Sequence, residues 1–187
     1  MNDTNALLAA IRANPPGTFK LYRATEDQPE VEQSMQNREE IAQRVAHARA
    51  SGCLIEVVSL RMQYMDIWLR TFFENSPHEE RRRREFGGLL DQCLSLGLDK
   101  DIYSRINTFN KHRIKAIHGY LVGLMKYADL EAVVAESDGL SEALVEFVLI
   151  NSGEPVTEEF ENQYHKRGDK VFHLQSTIDW LRGAVRI

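Results

Sequence analysis

The sequence predicts an all-α helical bundle carrying a short peripheral N-terminal segment. Three observations predict it. From about Met35 onward, apolar residues recur at intervals of three and four through almost the whole chain, the period of a helix with one buried face. The run 53–74 is apolar around more than one face, as the spine of a bundle must be. The 187 residues are 43% hydrophobic and 27% charged, the composition of one globular domain with its own core.

Taken in order, the first fourteen residues set Leu7, Leu8 and Ile11 on one helical face before Asn14-Pro15-Pro16-Gly17 stops the run. Residues 19–23 alternate like a brief strand, and 25–32, polar and carrying Pro29, read as a linker. Residues 1–33 are therefore expected to be peripheral and 34–187 to form the helical domain. Residues 36–50 place Ile41, Val45 and Ala48 at helical spacing, and 53–74 follows with Leu54, Val57, Val58, Met62, Met65, Trp68, Leu69, Phe72 and Phe73. Ser76-Pro77-His78-Glu79 has the residues of a helix start: a hydroxyl cap, proline at the first position and a carboxylate closing a capping box. A helix is expected from there to about Leu96, with Phe86, Leu89, Leu90, Cys93 and Leu94 inward and Gly97 as its stop. Another is expected over 101–124, shorter ones over 130–135 and 140–150, a loop over 151–155 and a last helix over 157–182.

Function classes fall away quickly. The chain has no P-loop, no dinucleotide-binding glycine fingerprint, no HExxH zinc pattern and no GxSxG nucleophile elbow. Cys53 and Cys93 belong to neither a CxxC pair nor a zinc spacing, so no metal or other cofactor is expected, and a reduced, cytoplasmic protein is. No run approaches the roughly 18 apolar residues of a membrane span, mean hydropathy is −0.40, and no membrane partner is expected. The net charge of −5 is segregated. Residues 102–128 hold five basic residues, two histidines and no acid, whereas 129–162 hold ten acids and no lysine or arginine. Only the first of these segments suits a phosphate.

That basic segment contains Phe109-Asn110-Lys111-His112-Arg113-Ile114-Lys115-Ala116-Ile117-His118-Gly119, an arginine followed five positions later by a histidine. Ahead of it run the long apolar helix, Phe86-Gly87-Gly88-Leu89-Leu90 and Leu96-Gly97-Leu98. This succession, from about residue 42 to 125, resembles the HEPN superfamily, helical domains marked by an Arg-x4-His motif. The resemblance implies a HEPN-like bundle and a homodimer with the arginines and histidines of both chains in one cleft. It further implies a metal-independent endoribonuclease, of toxin–antitoxin, phage-defence or RNA-processing type, or an inactive relative. Arg113 and His118 are the matching positions for catalysis, with Asn110 in support.

The chemistry suits the residue types. Cleaving RNA through its own 2′-hydroxyl needs one proton removed and one delivered to the leaving 5′-oxygen, which histidine does well near neutral pH. Arginine offers a permanent forked donor to the phosphate. Lys111 and Lys115, with Arg81, Arg82, Arg83 and Arg84, are candidate contacts to single-stranded RNA, the alternative for the arginine run being solvated surface among Glu79, Glu80 and Glu85. Positions five apart on a helix diverge by roughly 140°, so Arg113 and His118 of one chain do not converge, and a second chain is the simplest remedy. Dimerisation is expected through this helix, with part of the 54–73 helix nearby. Ile114 departs from the family pattern, where a polar residue usually follows the arginine; Lys111, Lys115 or His112 are the nearby polar substitutes. A cognate antitoxin or other partner protein is a further candidate partner; the alternative reading is a non-catalytic dimerisation, partner-binding or nucleotide-binding module. An accidental motif in an unrelated scaffold is a third, signalled by burial of Arg113 or His118 in a monomer core.

Overall fold

In the computed structural model, which describes residues 17–21, 29–151, 154–155 and 170–173, helices dominate and the architecture is an all-α bundle. In chain order the elements are β1 (Gly17–Leu21), α1 (Pro29–Ala50), α2 (Leu54–Glu74), α3 (Phe86–Ser95), α4 (Lys100–Gly119), α5 (Tyr127–Glu136), α6 (Leu140–Asn151), β2 (Glu154–Pro155) and β3 (Lys170–His173). β1 is the middle strand of a small antiparallel sheet, with Thr18 opposite Glu154 of β2 on one side and His173 of β3 on the other.

Four expectations are corrected here. The strand expected over 19–23 lies two residues earlier. Residues 29–32, expected in a linker, are helical, so the boundary after residue 33 falls inside α1. Residues 154–155 pair with β1 rather than looping. Lys170–His173 is a strand, which interrupts the helix expected over 157–182; Val171 and Phe172 favour extended backbone once β1 offers an edge. The remainder of that helix and the one expected in the first fourteen residues lie outside the described residues.

α2 is the spine, packed against α1, α3, α4, α5 and α6. Its stripe behaves as the sequence predicts: Val57, Val58, Met65, Leu69, Phe72 and Phe73 are buried, with Met62 only partly covered. Burying one such side chain stabilises the fold by roughly 1.5–3 kcal/mol. α1 contributes Ile41, Val45 and Ala48, α3 contributes Phe86, Leu89, Leu90 and Cys93, and α6 contributes Leu144, Val145 and Val148.

Among the described residues, one charged side chain is buried in this interior. Arg61 of α2 is 2% exposed, and its guanidinium donates to Val134 O, Ser137 Oγ and Asp138 Oδ1, each at 2.6 Å. Arg49 of α1 completes the cluster with two bonds to the Asp138 carboxylate, at 3.0 and 3.1 Å. Burial alone would raise the Asp138 pKa, but the hydrogen bonds from Arg61 and Arg49, with their charges, hold it below the usual value. The cluster ties α1 and α2 to the short link between α5 and α6.

The helix start expected at Ser76 is not one. Ser76 Oγ donates back to Phe72 O at 2.7 Å, so the hydroxyl finishes α2 rather than capping a following helix. Residues 77–85 form a loop pinned by the buried Gln92 of α3. Its Oε1 accepts from Arg83 N–H at 2.8 Å, and its Nε2 donates to Arg81 O and to Glu80 Oε2. α4 starts cleanly, with Asp99 accepting from the backbone of Asp101 and Ile102.

α4 also ends five residues before the expected 124. Leu124 N–H donates to Gly119 O at 2.9 Å and Gly123 N–H to Tyr120 O at 3.1 Å, while Gly123 takes φ +78°. That is the paired-bond closure a left-handed glycine makes possible. Gly119 is tightly placed as well, since a Cβ there would stand 3.1 Å from Leu124 Cβ. No helix among the described residues is long and apolar enough to cross a membrane.

Candidate functional site

α4 carries the Arg-x4-His motif, and its geometry follows from which residues reach the core. Ile102, Ile106, Phe109 and Ala116 are buried, which fixes the inward side of the helix. At roughly 100° per residue, Arg113 falls within about 40° of Phe109 and so leans toward the bundle. It is half-buried, and its Nε is enclosed without a hydrogen-bond partner among the described residues. Asn110 sits about 60° from Arg113 around the helix and about 80° from His118, and its Oδ1 is likewise enclosed without a partner. His118 lies on the solvent side and is exposed. One chain therefore does not bring Arg113 and His118 together.

The side of α4 that His118 shares is partly apolar. Ile114 is 44% exposed and Ile117 40%, although the sequence pattern places Ile117 inward. Ala116 and Gly119 on either side of it remain buried, so Ile117 lies at the rim of the packed side rather than within it. Lys111 and Lys115 are exposed on the same outer side. The long α2 helix offers this surface little, because Glu56 and Gln63 are its only fully exposed residues.

His112 does not stand in for Ile114. It turns toward α5, where its Nδ1 lies 4.0 Å from Glu136 Oε2. With Arg105, Thr108 and Ser137 these two line a cleft of about 180 Å³ between α4 and the α5–α6 link, on the opposite flank of α4 from Ile114. No group of three or more His, Cys, Asp or Glu among the described residues is placed to hold a metal ion.

No family model, curated protein or solved structure matches this chain.

The remaining basic candidates sit in the 77–85 loop. Arg82 pairs with Glu74 at the end of α2, whereas Arg81, Arg83 and Arg84 are exposed. Gln92 gives the loop a defined backbone, so these arginines project from a fixed platform. The sequence reading missed Gln92 and Arg61 as organising residues. A lone polar residue inside an otherwise apolar stripe was the available signal for both, because such a residue is retained only with partners.

Proposed function

We propose that the chain is a HEPN-like helical module that pairs with a second copy through the outer side of α4. In this reading it acts in the cytoplasm and cleaves single-stranded RNA without a metal, at a cleft to which Arg113 and His118 of the two copies contribute. The observation that carries the reading is the exposed His118 beside Ile114 and Ile117, 44% and 40% exposed, on a helix whose other side is core. Apolar side chains around a proton-transfer group suit a covered cleft, where water is excluded and a charged contact to phosphate strengthens. For a partner to bridge the roughly 140° between the two motif residues, the Arg113 guanidinium must extend past its enclosed Nε to the edge of that cleft.

Within such a cleft an imidazole takes the proton of the RNA 2′-hydroxyl as that oxygen attacks the adjacent phosphorus. The bond to the 5′-oxygen breaks, a second proton goes to that leaving oxygen, and a 2′,3′-cyclic phosphate and a free 5′-hydroxyl result. The Arg113 guanidinium neutralises charge building on the phosphoryl oxygens. Asn110, which lies between Arg113 and His118 in angle, supports them, and Lys111, Lys115 and the exposed Arg81, Arg83 and Arg84 track the strand.

The test is incubation of the purified chain with mixed single-stranded RNA, with and without EDTA, alongside sedimentation. A dimer that cleaves equally in EDTA is the expected result; a monomer, or cleavage abolished by EDTA, contradicts the proposal. A second reading has an observation in its favour. Arg113 leans inward with Nε enclosed and Ile114 follows it, which suits a non-catalytic module that dimerises or binds a partner protein or nucleotide. Dimerisation without cleavage selects that reading.

A further inference from the structure

We propose that the turn closing α4 is a docking tip for an anionic lipid surface, seated by Leu121, Val122 and Leu124 and flanked by Lys115 and Lys126. The turn is ordered, since the two backbone bonds to Gly119 and Tyr120 close it and buried residues bracket it, Ala116 on one side and Met125 on the other. That order holds three large apolar side chains in water. Leu121 is 94% exposed, Val122 70% and Leu124 76%. Scattered exposed leucines are normal on a protein surface, but three within four residues on a bonded turn form a patch that something covers. Tyr127 stands at its base, 43% exposed, with its hydroxyl donating to Gly52 O at 3.0 Å.

Charge selects the occupant. No acid occurs between residues 102 and 128, and Lys111, Lys115 and Lys126 are exposed. The acidic stretch begins at Asp129, whose carboxylate already accepts the Lys126 backbone N–H at 2.7 Å. A two-fold contact centred on the turn would set these lysines against their own copies. RNA would take the lysines and leave the aliphatic tip in water. A bilayer containing anionic lipids takes both: the acyl boundary receives Leu121, Val122 and Leu124 while headgroup phosphates receive the ammonium groups. The contact is peripheral; it shares Lys111 and Lys115 with the RNA-cleavage reading, whereas Leu121, Val122, Leu124 and Lys126 belong to the turn alone, and the chemistry of that reading rests on Arg113 and His118.

The experiment is co-sedimentation of the full chain with vesicles of phosphatidylcholine alone and of phosphatidylcholine with phosphatidylglycerol. Partition onto the anionic vesicles only, weakened by added salt, is expected. Leu121→Ser with Val122→Ser should lower the partition coefficient at least about tenfold, since two inserted side chains are lost. Lys115→Gln and Lys126→Gln should each lower it roughly fivefold. All four side chains face water, so far-UV circular dichroism and the melting temperature should hold. Three results would each overturn the proposal: no partition, equal partition onto neutral vesicles, or undiminished partition by the serine variant. A serine variant that instead dissociates an oligomer, its vesicle binding unchanged, would assign the tip to a second copy.

Discussion

Replacing Asp138 by Asn leaves the Arg61 guanidinium in the interior without its anionic partner. Arg61 is 3% exposed in its side chain and Asp138 45%, so the pair is neither fully buried nor a surface pair. Breaking a fully buried pair typically costs about 3–5 kcal/mol, whereas an exposed pair such as Arg49–Asp138 contributes about 0.2–1 kcal/mol. Arg61 keeps Val134 O and Ser137 Oγ, and water reaches one side of Asp138. The loss is then near that of one charge-assisted hydrogen bond plus the exposed pair, about 2–3 kcal/mol. For a chain of this size each kcal/mol lowers Tm by about 2–4 °C, which gives a fall of about 4–12 °C at neutral pH. Arg49→Gln, removing only the exposed pair, should cost under about 1 kcal/mol. Because the folded-state pKa of Asp138 lies below its ordinary 3.8, this contribution is complete above that value and lost as pH falls through the lowered one. Wild type and Asp138→Asn should therefore converge in stability only in strong acid. Thermal melts of both variants across pH read all of this. An Asp138→Asn protein as stable as wild type at neutral pH, or an Arg49→Gln protein equally damaged, would refute the reasoning.

Gln92→Ala removes the side chain that pins the 77–85 loop and strands the Arg83 N–H and Arg81 carbonyl, a local loss of about 1–3 kcal/mol; trypsin should then cut at the arginine run markedly faster, and an unchanged rate would show that Gln92 does not hold it. Burial, and after it the charge of Asp66, pushes the Cys93 thiol up to about 12, whereas Cys53 is exposed. A thiol reagent on the native protein should label Cys53 promptly and Cys93 only after unfolding, as mass spectrometry of the labelled peptides would reveal. Gly119→Ala presses a methyl within 3.1 Å of Leu124 Cβ, so the turn must shift, and backbone NMR shifts should change over residues 119–125 while the α2 core stays put.

The parts of the fold legible in the sequence were those written in periodicity. The stripes on α2 and on the first half of α4 name their own buried faces, because burial of a helix face needs an apolar residue every third or fourth position. The gap left between the helices expected over 130–135 and 140–150 likewise falls at the break between α5 and α6. Boundaries failed where one residue type serves two hydrogen-bonding roles: Ser76 bonds backward to Phe72 O, though the same serine before a proline reads as a forward cap. The strand at Lys170–His173 and the cluster of Arg61, Arg49 and Asp138 depend on pairings across long stretches of chain, which no local pattern encodes. At the candidate site, the spacing of Arg113 and His118 gave their divergence directly. The inward lean of Arg113 and the enclosed Asn110 oxygen needed the packing of α4 against the bundle.

The most direct test of the α4 cleft is a complementation assay in which Arg113→Ala and His118→Ala proteins are incubated with single-stranded RNA, separately and after mixing and subunit exchange. If each site draws its arginine from one copy and its histidine from the other, both variants should be inactive alone. The equimolar mixture should recover about a quarter of wild-type activity, since half the dimers are mixed and each carries one intact site. A wild-type chain that does not cleave RNA, or a mixture no more active than its components, would contradict the account.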